Sequence, residues 1–146
     1  MDALPNSTAT TEQRQAYLLL RVLAGFDFFG HGFARIFTGS HLSGFAQGMV
    51  KSMASSPLPA GLVLATGYVV PCVELVIGVL LLTGVATRFA LTLALLLMCV
   101  LMFGVTMKQD WATAGTQLGY GLVLAALLFG RARYDLSWPG LFGRRP

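Results

Sequence analysis

Four ionisable residues stand inside long apolar stretches of this chain: Arg21, Asp27, His31 and Glu74. An ionisable group surrounded by hydrocarbon is costly, so it turns toward a protein interior or an aqueous cavity. There it can relay protons or hold the polar part of a ligand. Asp27, His31 and Arg35 follow one another at intervals of four, which lines them up on one helical face. Arg21 precedes Asp27 by six residues, on a different face and about 9 Å away along the axis at helical rise. On a second apolar segment Pro71, Glu74 and Gly78 share a face, and the proline interrupts the local hydrogen-bond ladder. Measured from the segment ends near Ala16 and Gly84, Asp27 and Glu74 lie about 16 and 15 Å deep. Two carboxylates at one level cannot both stay charged cheaply. Either one is protonated, or both share Arg21 or His31 as partner. The candidate proton-relay or polar-ligand site is therefore Arg21, Asp27, His31 and Glu74, with Arg35 and Arg88 secondary. The alternative is a structural clamp that fixes helix register.

Other chemistry finds little support. Cys72 and Cys99 do not form a Cys-x-x-Cys pair and read as buried, inert thiols. No zinc spacing, haem-binding pair, Walker motif or serine elbow is present. Gly30-x-Gly32 has no strand before it, so a nucleotide-binding reading fails. No intrinsic cofactor and no metal are expected.

The elements that must position these residues follow from composition. Of 146 residues, 55% are hydrophobic and 11% charged, against about 25% charged in ordinary soluble domains. Crossing a bilayer as a helix takes about 20 apolar residues. Four segments approach that: Ala16–Phe37, Gly61–Thr83, Phe89–Met107 and Thr116–Phe129, the last short, with an alternative start near Trp111. The expected fold is all-α, an integral membrane four-helix bundle with antiparallel neighbours. The short turn at Gly84–Arg88 makes the second and third spans adjacent. Between the first two spans Leu42, Phe45, Met49 and Met53 recur at helical spacing, which predicts a short amphipathic helix ended by Pro57 and Pro59. A connector covering apolar helix ends is favoured over a lid. Residues 1–15 form a polar tail, 16–130 the membrane domain and 131–146 a basic tail. A cleaved signal peptide fits poorly with the acid-bearing start and the ionisable residues of the first span. Gly30/Ala34, Gly115/Gly119 and Gly121/Ala125 place small residues four apart, which predicts close helix approach.

Orientation follows from charge. Arg14, Arg88, Arg131, Arg133, Arg144 and Arg145 fall on one side, and Arg35, Lys51 and Lys108 on the other. Both termini are then cytoplasmic by the Lys/Arg bias of short loops. The net charge of +4 suits anionic headgroups. No basic stripe suited to nucleic acid is visible.

At the same residues the chain resembles the DoxX family of small bacterial membrane proteins. The first helix reads R21-V-L-A-G25-F-D-F28-F-G-H31-G32-F-A-R35-I-F37, similar to the family's arginine, glycine, phenylalanine, histidine–glycine and basic pattern. The second reads V73-E74-L-V-I-G78-V-L-L-L-T-G84-V-A-T-R88, similar to its glutamate, glycine, leucine run and glycine-x-x-(Thr)-Arg pattern. Asp27 stands where an apolar residue is expected, and Arg35 replaces the commoner lysine. The tail G130-R-A-R-Y-D135 resembles the family ending only loosely. The resemblance implies a bacterial inner-membrane protein, and a subunit of a quinone-linked oxidoreductase whose polar cleft binds a quinone or similar amphiphile. Two alternatives stay open: a non-catalytic assembly or stabilising partner, and a small-solute or lipid carrier. Expected partners are membrane lipids and either further copies of the chain or another membrane subunit.

Overall fold

The computed structural model describes residues 9–39 and 41–135. Among these residues the chain is all-α, with five helices and no strand. They are α1 Thr11–Phe37, α2 His41–Ser52, α3 Ala60–Thr83, α4 Thr87–Met107 and α5 Trp111–Tyr134. Three of them, α3, α4 and α5, are long and apolar enough to cross a membrane. α1 is the longest, but Arg21, Asp27 and Arg35 interrupt its apolar run and it falls outside that group. α2 occupies the place of the amphipathic segment expected from the sequence, ending before Pro57 and Pro59.

Capping explains where the helices begin. α1 starts at Thr11, inside the stretch assigned above to the polar tail. The Thr10 hydroxyl accepts from Gln13 N at 3.2 Å, and the Gln13 side chain accepts from Thr10 N at 3.0 Å. This reciprocal box satisfies two of the amides that a helix start leaves unpaired. α5 starts at Trp111 because Asp110 caps it, accepting from Thr113 N at 3.1 Å and from Thr113 Oγ1 at 2.8 Å. α5 also runs past residue 130, so Arg131 and Arg133 belong to its last turn rather than to a tail. Arg144 and Arg145, like residues 1–8, lie outside the described residues.

α1 packs chiefly on α3, α4 on α5, and α2 on α3. The first of these contacts is nearly backbone to backbone. Gly25 faces Leu82, Gly78 faces Phe29, and Gly32 faces Leu75 and Pro71, so contacts that ascend α1 descend α3. A Cβ on Gly32 would stand 2.5 Å from Leu75 N, and one on Gly78 would stand 2.3 Å from Phe29 N. Gly67 admits Ala46 of α2 in the same way, with its Cβ position 2.7 Å from Ala46 Cα. The small-residue pairs expected from spacing are different ones. Gly30, Gly115, Gly119 and Gly121 meet nothing within 4 Å. A four-residue interval marks a helix face, but which face meets a neighbour depends on the whole arrangement.

Ile77, Leu81, Leu91, Leu124 and Leu127 are buried at the centre. The outside is just as apolar: Leu23, Val76, Leu96, Val100 and Leu122 are exposed, and Phe129 is 94% exposed. Such a surface suits lipid contact. Cys72 and Cys99 lie on it too, which corrects the expectation of buried thiols. A thiol behaves as a small apolar group, so hydropathy does not separate a core position from one facing hydrocarbon.

Two outcomes follow. Gly78→Ala forces α1 and α3 apart and should lower stability in detergent by about 1–3 kcal/mol, the usual cost of overpacking. Gly30→Ala, on an open face, should raise it by about 0.5–1 kcal/mol through helix propensity. Thermal unfolding by circular dichroism distinguishes them, and equal effects at the two sites would contradict the α1–α3 register. The second outcome concerns Asp110, whose carboxyl is held below its ordinary value of 3.8 by the Thr113 amide, the Thr113 hydroxyl and Lys108. A depressed folded pKa stabilises fully above the unfolded value and fades as pH falls through the folded one. Wild type should therefore lose stability below about pH 4 faster than Asp110→Ala does. Parallel pH profiles would remove this role.

Candidate functional site

The close approach of α1 and α3 is what brings the central charges together. Glu74 stands about 21 Å from the start of α3 and 15 Å from Gly84 at helical rise, and it is 4% exposed. Arg35 Nη1 donates to Glu74 Oε1 at 2.6 Å and also reaches Oε2. The Arg35 guanidinium lies 4.6 Å from the ring centroid of Phe45 on α2, a cation–π distance. The partner of Glu74 is therefore Arg35, not Arg21 or His31. Arg35 ends the stripe of ionisable residues on α1. It reads in the sequence as a charge outside the membrane, yet its head turns inward beneath α2.

Asp27 and His31 face each other one turn apart, with His31 Nε2 at 3.6 Å from Asp27 Oδ1. Their side chains are 36% and 50% exposed, so this contact is loose. Asp27, His31, Arg35 and Glu74 all border a cavity of about 170 Å³. Met98 and Leu101 of α4 give it an apolar part, and Thr113, Thr116, Gln117 and Tyr120 of α5 line it as well. Gln117 Oε1 is buried there without a hydrogen-bond partner. The α5 residues are absent from the sequence-based site. Their signal was present: positions 113, 116, 117 and 120 fall on one helical face of an otherwise apolar helix.

Arg21 does not join this cluster. It lies about 21 Å from Arg35 along α1, where its Nη1 donates to Asp135 Oδ1 at 2.8 Å. The two side chains are 5% and 2% exposed. The guanidinium rests on Gly84, where a Cβ would stand 2.7 Å from Nη1. Gly84 also has φ +73°, a left-handed value that closes α3. Two constraints thus meet at this glycine. Tyr17 and Tyr134 pack beside the ion pair with ring centroids 6.4 Å apart. Tyr17 Oη, Arg21 Nε and Asp135 Oδ2 are buried without partners. Arg88 is exposed on the first turn of α4 and takes no part in the cavity. Sequence reasoning missed Asp135 because it left that residue in the tail.

Chemically, the cavity offers a paired acid and base, a histidine beside a carboxylate, and hydroxyl and amide groups for neutral hydrogen bonding. Among the described residues no group of three or more His, Cys, Asp or Glu could hold a metal ion.

Removing Arg35 would leave Glu74 buried without its cation. Arg35→Ala should cost about 3 kcal/mol, the low end for breaking a buried pair because Arg35 keeps some exposure. Adding Glu74→Gln to Arg35→Ala should restore part of that loss. A double-mutant cycle on thermal stability measures it, and strict additivity would deny the pairing.

A family model, DoxX, matches residues 16–107. The match runs from the first turns of α1 to the end of α4 and leaves out α5 with its polar stripe and Asp135. No curated protein and no solved structure matches the chain. The matched segment is well over half of the sequence and holds Arg21, His31, Arg35, Glu74 and Arg88, and the chain belongs to the DoxX family.

Proposed function

We propose that this protein is a four-span membrane protein that holds the head of an uncharged amphiphile in the cavity between α1, α3, α4 and α5. The observation that carries the reading is the cavity itself, a polar pocket with an unpartnered Gln117 acceptor inside an apolar shell. α1 crosses as the fourth span because Arg21 and Arg35 are met by acids of other helices, and Asp27 and His31 border the cavity. With contacts that ascend α1 descending α3, these two helices are antiparallel. The Lys/Arg bias puts both termini in the cytoplasm of a bacterial inner membrane.

Charge narrows the ligand. Arg35 and Glu74 neutralise each other, so the cavity keeps no spare fixed cation for a phosphate or carboxylate head. Thr113, Thr116, Gln117 and Tyr120 suit carbonyl and hydroxyl groups. A quinone ring matches that chemistry, and the family resemblance points the same way. In this reading the chain is a subunit of a quinone-linked oxidoreductase. Its residues hold the ring and pass protons through His31 and Asp27, while a partner subunit supplies the electrons.

A second reading has its own support. Gly115, Leu118, Gly119, Leu122 and Phe129 make an outward stripe along α5, with open space over both glycines. A second copy or another membrane subunit could pack closely there, which suits an assembly or stabilising role.

Titration of the purified protein with a short-chain ubiquinone should quench tyrosine and tryptophan emission saturably. Glu74→Gln should weaken the response about tenfold, a change of about 1.4 kcal/mol. Saturable binding that ignores Glu74→Gln removes that residue from the site. Absence of any wild-type response, with an oligomer that Gly119→Ile dissociates, would favour the second reading.

A further inference from the structure

The seam between α1 and α5 changes character along its length. At the end nearest Thr11 it is shut by the Arg21–Asp135 ion pair and the Tyr17–Tyr134 contact. Further along, Leu20, Leu23 and Ala24 of α1 face Val123 and Leu124 of α5 across an apolar groove of about 480 Å³. Beyond that lies the polar cavity already described. Groove and cavity have Asp27, Phe28 and Tyr120 in common, so the two adjoin. The groove is also open sideways, since Leu23 is 66% exposed and Val123 36%.

We infer that this seam takes a single-tailed amphiphile lengthwise, with an uncharged hydrogen-bonding head in the cavity and its hydrocarbon tail in the groove, reached from lipid between α1 and α5. The inference rests on the reading of the cavity as a head-binding site and adds the tail, its path and the direction of approach. Three features select this occupant. The apolar and polar compartments adjoin along one helix seam, the order an amphiphile's tail and head require. The polar end is small and has no unspent fixed cation, which disfavours the phosphodiester head of a bulk phospholipid. The far end is blocked by a buried ion pair, so the tail bears on the stretch between Leu20 and Asp27, about 10 Å of helix, and must leave sideways.

The test uses the full chain in phosphatidylcholine vesicles and a monoacylglycerol that carries a diazirine on its acyl chain. After irradiation, mass spectrometry locates the label. The expected result is labelling at Leu20–Ala24 and Val123–Leu124 that excess unlabelled monoacylglycerol suppresses. Val123→Trp, which fills the groove mouth, should weaken this labelling about tenfold, while Leu96→Trp, on the outward face of α4, keeps it; circular dichroism checks that both variants stay helical. Label spread over outward residues such as Leu96 and Phe129, without competition, would mean that bulk lipid fills the groove and would overturn the inference. So would competed labelling that Val123→Trp leaves unchanged, or a groove that a second copy covers. If short-chain ubiquinone fails to bind while competed groove labelling persists, the quinone head is wrong and the tail path stands.

Discussion

The near-contact of two helix backbones at Gly32 and Gly78 sets the terms for the rest of the molecule. Without side chains between them, α1 and α3 come close enough for Arg35 to reach Glu74 across the gap. A carboxylate in these surroundings needs a partner with good geometry, since its desolvation is otherwise uncompensated. The glycines therefore do more than tighten packing. They make an acid near the middle of α3 tolerable, and through it they make a polar cavity possible inside an apolar shell.

The ionisable residues of α1 divide by task. Arg35 is tied to α3, and Arg21 is tied to the end of α5. Each of these cations is consumed by an acid from another helix. Asp27 and His31 are left facing the cavity with only each other at 3.6 Å. These two groups are left unspent at the cavity, while the two interhelical pairs form a frame between helices. Buried ion pairs contribute little net stability compared with apolar packing, so the frame is better understood as geometry than as glue.

Much of this could be read from the residues in order. Apolar length located α3 and α4 to within about two residues, the usual uncertainty of helix ends, and the spacing of Leu42, Phe45, Met49 and Met53 marked α2. Glu74 stood out because a lone acid in an apolar run has few reasons to be there. What failed was partner assignment. Helical rise gives depth but not the azimuth of a neighbour, so the sequence pairs Glu74 with Arg21 or His31 and leaves Arg35, on the same stripe, a secondary place. The glycine pairs failed for the same reason: Gly115 and Gly119 share a face, and that face turns outward. The Thr113–Tyr120 stripe was visible in spacing, but an apolar window starting at Thr116 cut through it. Asp135 was lost when the helix was ended at its last apolar residue, although basic residues commonly extend the final turn.

The Arg21–Asp135 contact spans 114 positions of sequence. Arg21 emerges from the ribosome early and its acid late, so for most of synthesis this cation must be satisfied by water or headgroups instead. Its pairing with Asp135 is then a late event that requires α5 to be already in place. The joint is thus a record of completed assembly, set at the far end of α1 from the Arg35–Glu74 pair.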